Sequence, residues 1–364
     1  MTAFVIAARR TPVMPHGGAY AALSLADLAA PVLRTCLADA GIEAGQVDEL
    51  VLSNALGAGG NPARLVALAA GLPEAVAGLS IDRQCAGGLD ALLLARALVV
   101  SGQAEVVLAG GVESWSRRPL RQRTDPAGGP AVPYDAPPFT PWPERDPSML
   151  AAAAALADAL GIGREAQDGW AVASHARALA ARDRMRAEIV PLLGQDADGF
   201  TRVLTPALAA RARPLAGSIT PANAAVAADG AAFCLVVSAR IAAQAPRALR
   251  IAGGASLGGR PEAPGLAPVA AIARVLGRAE VLPHSLTCAE VMEAYAVQAI
   301  ACVQGAGLDP ARANAGGGAL ARGHPIGASG AVLAVRLFHD LGAGHGLAAI
   351  AAAGGIGTAL LLEA

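Results

Sequence analysis

Short β-branched runs alternate with Ala/Leu-rich runs toward both ends of this 364-residue chain, and that alternation limits the possible folds more than any other feature. The FVIAA run at 4–8 reads as a strand, 24–41 as a helix closed by Gly41, and 49–56 as a second strand. A helix at 89–102 and a strand at 104–111, ending in a glycine pair, continue the pattern. Strands this apolar need helices to cover the sheet they form, so layered α/β architecture is predicted.

The texture changes at residue 117. Pro, Arg and Gly dominate to 147 without periodicity, helical stretches follow at 148–160 and 164–188, and irregular chain continues to 217. So long an insertion is uncommon unless it is functional. Alternation resumes at 229–239 and runs to the end. The expected organisation is an N-terminal half at 1–116 and 218–246, an inserted loop domain at 117–217, and a C-terminal half at 247–364.

Hydrophobic residues make up 54% of the chain and the mean hydropathy is +0.46, so a membrane reading needs a test. A spanning helix takes about 20 consecutive apolar residues. The most apolar stretches are broken by Arg96, by Asp158 or by Gly354-Gly355, so no membrane span is expected. A net charge of −1 and 3% aromatic residues argue against a nucleic-acid partner. Five cysteines (36, 85, 234, 288 and 302) form no CxxC pair, which argues for reduced thiols and no metal. With no charged leader followed by an apolar run at the N-terminus, a cytoplasmic location is expected.

An internal echo narrows the chemistry. Cys85 precedes AGGLDALLLARAL, a glycine pair opening a helix, and then a strand ending in Gly-Gly. His324 precedes PIGASGAVLAVRL, another Gly/Ser turn opening a helix, and then a second such strand. Two duplicated halves with facing loops would bring Cys85 and His324 to one shared site. A helix N-terminus favours a thiolate, and a neighbouring histidine can take the proton. A lone cysteine in an apolar segment is structural far more often than reactive, and Cys36, Cys234 and Cys302 fit that reading.

The blocks at 47–73, 80–91 (SIDRQCAGGLDA), 104–116 (AEVVLAGGVESWS) and 314–330 (NAGGGALARGHPIGASG) resemble, in order, the signatures of the thiolase superfamily. The resemblance implies a five-layer αβαβα fold of two duplicated halves, a CoA-covering inserted domain and a homodimer or homotetramer. It implies an acyltransferase of fatty-acyl or ketoacyl-CoA metabolism, with an acyl-CoA substrate and no permanently bound cofactor. Cys85 matches the acylated cysteine and His324 the histidine that activates it. The backbone N–H groups of Cys85 and Ala353 match an oxyanion hole.

Two matched positions depart from the family. Its N-E-A-F-A block reads MEAYA, so Met292 stands where an asparagine orders an oxyanion-hole water. Its C-x-G-G-G-x-G block reads AAAGGIG, so Ala351 replaces the acid/base cysteine. A thioether donates no hydrogen bond and a methyl group moves no proton. The resemblance therefore implies an acyl-enzyme on Cys85 with Claisen condensation and thiolysis impaired or altered; a non-catalytic scaffold subunit and an acyl-CoA thioesterase are the alternatives. Candidate CoA or substrate contacts are Asn223, Ala225 (where the family has serine), Met149 and Tyr295. Arg117 and Arg118 are candidates for phosphate, against a reading as a solvated basic loop.

Overall fold

The computed structural model describes residues 2–57 and 59–364. Its main strands are β1 (Ala3–Arg10), β2 (Glu49–Ser53), β3 (Leu79–Ile81), β4 (Val106–Ser114), β5 (Ala228–Ser238), β6 (Leu249–Gly258), β7 (Cys288–Val291), β8 (His345–Ala352) and β9 (Ile356–Glu363). They pair into one mixed sheet in the spatial order β3-β2-β4-β5-β1-β6-β9-β8-β7.

That order is nearly palindromic about its middle, where β1 meets β6 through only Phe4↔Arg250 and Val5↔Leu249. Moving outward on one side, β5 and β4 are antiparallel to their inner neighbours, and β2 and β3 parallel to theirs. On the other side β9 and β8 are antiparallel and β7 is parallel. Where β3 would have its counterpart there is one parallel bridge, Ala289↔Ala313. The sheet is thus two copies of one motif joined at a narrow seam.

Helices α1 (Leu25–Ala40), α2 (Pro62–Ala70), α3 (Gly87–Val100), α4 (Met149–Leu160), α5 (Arg164–Ala180), α6 (Ala267–Ala279), α7 (Ala296–Gly305) and α8 (Ile326–Asp340) complete the layers. Strand β5 explains why helices are needed on both faces. Its Phe233, Leu235 and Val237 pack outward against Leu28, Leu33 and Cys36 of α1. The alternating Ala232, Cys234 and Val236 face inward, toward Leu89 and Leu92 of α3 and Val332 and Val335 of α8. In the other half Leu360 and Leu362 of β9 face that same central cluster, and Ala359 and Leu361 face Ile272 and Val275 of α6. The period of two carries the pattern across five layers, with α3 and α8 in the middle.

The central helices touch backbone to backbone. A Cβ on Gly88 would collide with Ala331 N, and one on Gly330 would lie 2.5 Å from Leu89 N. This glycine contact lets the N-terminal ends of both helices approach one point. Capping is conventional elsewhere: Ser24 and Asp27 form a capping box on α1, and Gly41 closes it at φ 63°.

The strand expected to end at the Gly110-Gly111 pair runs on to Ser114, and two further sequence-derived boundaries move. The strand expected over 49–56 stops at Ser53, because Asn54 turns its amide onto Val112 O (3.0 Å) and Glu113 Oε1 (2.7 Å). The helix expected over 164–188 ends at Ala180, and the chain beyond delivers Glu188 to a buried ion cluster. There Arg10 Nε meets Glu188 at 2.6 Å, Arg336 of α8 meets the other Glu188 oxygen, and Arg10 also binds Asp198 at 2.7 Å. Burial pushes the Glu188 carboxyl up, but Arg10, Arg336 and Arg322 outweigh it and hold it down at about 2. The insertion is thereby anchored to both halves. Among the described residues, no helix is long and apolar enough to cross a membrane.

Candidate active site

Cys85 and His324 each stand two residues before a central helix, Cys85 before α3 and His324 before α8. The close crossing of those helices brings Cys85 Sγ to 3.2 Å from His324 Nε2. Gln84, just ahead of the cysteine, holds φ 48°, an unusual left-handed conformation for a side chain of its size. His324 is fixed by its own N–H, which donates to Val226 O at 2.8 Å.

The histidine's tautomer follows from its second contact. His324 Nδ1 lies 2.7 Å from Ser329 Oγ, and that hydroxyl donates its single proton to Pro325 O at 3.0 Å. Nδ1–H is then the donor to Ser329, which leaves the Nε2 lone pair facing the Cys85 thiol. Burial lowers the His324 pKa to about 4. Burial likewise pushes the Cys85 thiol up to about 12; its own backbone N–H opposes this, and Glu113 and Asp82 add to it. Both shifts favour the neutral thiol and the neutral imidazole, so burial works against the thiolate that helix position favours.

Glu113 braces the arrangement from behind. Its carboxylate accepts from Ala55 N (3.0 Å), Leu56 N (3.3 Å) and Gly327 N (3.0 Å), tying the loop after β2 to the first turn of α8. Burial raises it to about 7 against those donors.

Above the pair lies a cavity of about 400 Å³. The tip of β8 supplies Ala351, Ala352 and Ala353; Trp115 follows β4, and the insertion supplies Met149 and Leu156. Ala225, Tyr295 and Gln298 close another wall. No Asp, Glu, Lys or Arg lines it, so it suits a neutral, largely apolar group in which hydrogen bonds are strengthened by the exclusion of water. Ala353 is tolerated because the left-handed positions of this turn fall on Gly354 and Gly355, both at φ 77°.

Of the positions singled out in the sequence, Cys85, His324, Ala351, Ala353, Met149, Ala225 and Tyr295 share this cavity. Met292 does not: it is 1% exposed and packs into the central core. Asn223 is corrected as a ligand contact. Its Oδ1 accepts from Thr220 N at 2.9 Å and its Nδ2 donates to Asp168 Oδ1 at 2.9 Å, so the side chain is consumed in holding the insertion. Arg117 is exposed, donates to Ala22 O at 3.3 Å and lies outside the cavity. Arg118 reaches it only through Trp115, over whose ring its guanidinium sits at 5.1 Å. Cys288, the one other thiol near the substituted block, heads β7 away from the cavity. Sequence reasoning passed over Ser329, Trp115 and Gln298. Ser329 had a usable signal, standing in the first turn of the helix that follows the histidine; the other two read as ordinary core positions.

Family models for the thiolase N-terminal domain and the thiolase C-terminal domain match residues 3–240 and 245–364. A Bacillus subtilis protein with a provisional acetyl-CoA C-acetyltransferase name is 40% identical over 100% of this chain and 99% of its own. An acetyl-CoA acetyltransferase of Pseudomonas aeruginosa is 39% identical over 98% of each. The crystal structure of the Bacillus anthracis acetyl-CoA acetyltransferase superposes with a TM-score of 0.93 at 32% identity, covering 100% of this chain and 98% of that one.

Proposed function

The chain belongs to the thiolase superfamily, and on that premise we propose that it is an acyl-CoA acyltransferase carrying its acyl group on Cys85. The observation that carries this reading is the 3.2 Å contact between Cys85 Sγ and an imidazole nitrogen that is free to accept a proton. Sγ attacks the thioester carbonyl carbon as Nε2 takes the thiol proton. The backbone N–H groups of Cys85 and Ala353 receive the developing oxyanion. Collapse breaks the carbon–sulfur bond to CoA, His324 returns its proton to the departing CoA thiolate, and acyl-Cys85 remains.

The second half of the reaction is where this chain departs from the pattern that the family resemblance implies. Forming a carbon–carbon bond requires a base for the acceptor's α-carbon, and Ala351 offers a methyl group at the cavity wall. Met292 offers no donor and is withdrawn into the core. Ordinary Claisen condensation and thiolysis are accordingly impaired or altered, and an acceptor that brings its own nucleophile is favoured. The same two substitutions support a second reading, a scaffold subunit without turnover.

Intact-protein mass spectrometry after incubation with acetyl-CoA and longer acyl-CoAs separates them. The expected result is a gain of one acyl group that is absent in Cys85→Ala. No gain with any acyl-CoA, in protein that remains folded, leaves the scaffold reading. Loss of the adduct to water without an acceptor indicates a thioesterase.

A further inference from the structure

Polar groups facing an apolar cavity ordinarily find partners within the protein. Two on the wall above Cys85 do not. Gln298 is 3% exposed; its Oε1 accepts from Ala294 N at 3.3 Å, while its Nε2 has no partner among the described residues. Tyr295, just before α7, sits among Ala224, Leu150 and the apolar residues of α4, and its hydroxyl makes no hydrogen bond to a described residue. Both residues line the cavity together with Cys85 and His324. A buried amide N–H left unpaired costs about 1–3 kcal/mol, and the half-buried Tyr295 is the hydroxyl-bearing side chain on the same cavity wall. An orphan pair beside a nucleophile therefore points to an acceptor atom that arrives with the ligand.

The backbone fixes where Tyr295 stands. Ala225 N donates to Ala294 O at 2.9 Å, and His324 N donates to Val226 O at 2.8 Å. Tyr295, the 224–226 segment and His324 are thus successive rows of one wall, and the middle row presents only the methyl groups of Ala224 and Ala225. At position 225 nothing larger than a methyl group stands on the wall between Tyr295 and His324. Burial raises the Tyr295 pKa, and the charge of a Cys85 thiolate raises it further. The phenol keeps its proton, so it is a donor and not a base.

We propose that Tyr295 donates a hydrogen bond to the carbonyl oxygen of the acyl group as Cys85 attacks it, supplying a side-chain donor that position 292 lacks. The inference rests on the acyl-enzyme reading above. No proton leaves the phenol: its hydrogen bond tightens as the carbonyl becomes an oxyanion and relaxes when the carbonyl re-forms. Tyr295 is on this account a catalytic residue that touches the reacting atoms, and the unpaired Gln298 amide marks the same wall as built for a polar ligand.

The test is the rate of acyl-Cys85 formation, by rapid-quench mass spectrometry, in the wild type and in Tyr295→Phe, which keeps the ring and its packing. Two donors are compared: acetyl-CoA, and ethyl thioacetate, which has the same carbonyl and no pantetheine amide. Loss of an oxyanion donor typically slows reaction about 10²–10³-fold, and a maximal-rate loss of that order is expected with both donors. Equal maximal rates in the two proteins overturn the inference. So does a higher half-saturating concentration for acetyl-CoA alone with the maximal rate unchanged, which would put the hydroxyl on the pantetheine arm. A wild type that gains no acyl group from either donor removes the acyl-enzyme reading and this inference together; a wild type that acylates no faster than the variant removes the inference alone.

Discussion

The connection from β4 to β5 and the connection from β8 to β9 occupy equivalent places in the two halves, yet they differ in every other respect. The second is a tight turn through Gly354 and Gly355, both left-handed, the geometry that suits the twist of paired strands. The first holds residues 115–227, with α4, α5 and the anchored acidic residues Glu188 and Asp198. Symmetry of the sheet places Cys85 and His324 alike, each two residues before its helix. Asymmetry of the hairpins shapes the cavity above the pair: the long connection supplies Trp115, Met149 and Leu156 as its outer wall, and the short one supplies Ala351 and Ala353 as its inner wall. Duplication positions the reactive pair, and the insertion encloses it.

The sharpest way to break that comparison is to remove the reactive side chain of the second half. His324→Ala leaves Cys85 without the imidazole placed 3.2 Å away to take its proton. Acylation by acetyl-CoA is expected to slow about 10²–10⁴-fold, followed as mass gain over time. A loss under tenfold would mean that the two halves do not act as a pair.

A smaller effect tests the equivalence of the central helices. Gly88→Ala and Gly330→Ala each drive a methyl group into the facing backbone. Overpacking of this kind costs about 1–3 kcal/mol, read from urea midpoints. Because the two contacts mirror each other, the losses should be similar, and both variants should acylate more slowly as Sγ and Nε2 part. A full loss for one glycine with none for the other would break the symmetry argument.

Much of this was legible in the sequence, and the division follows from range. The inward and outward alternation of β5 is a local pattern, and so are the glycine pairs that open α3 and close β8. The Cys85 and His324 segments declared themselves by their glycine-dense setting and their matching positions before a helix. What stayed hidden depends on contacts between distant segments. Asn223 matched a family ligand segment, and its actual partner, Asp168, lies 55 residues away in the insertion. Met292 could not be seen leaving the cavity until β7 showed which of its faces meets the central layer. Arg10, Glu188 and Arg336 carry no signature of a shared buried cluster when read one at a time. The thiolate expectation meets the same limit: a helix start is visible in a sequence, but the burial that raises the Cys85 thiol is not.

The smallest expected effect, a displaced acid limb in the pH profile, bears on that burial. Acylation needs His324 unprotonated, so the rate falls as pH drops through the histidine's pKa in the free enzyme. Burial lowers that value to about 4, and an exposed imidazole would titrate near 6.5. Between these values the two cases separate: at pH 5.5 a His324 with a pKa of about 4 remains almost wholly neutral, whereas at a pKa of about 6.5 only about one-tenth would be. The acylation rate should therefore be nearly level from pH 7 down to pH 5.5 and fall by half near pH 4. With the thiol raised to about 12, no second limb should interrupt the neutral range. A tenfold fall by pH 5.5 would mean that water reaches the pair. The long hairpin would then be an incomplete cover, and the contrast between the two connections would describe shape without describing solvation.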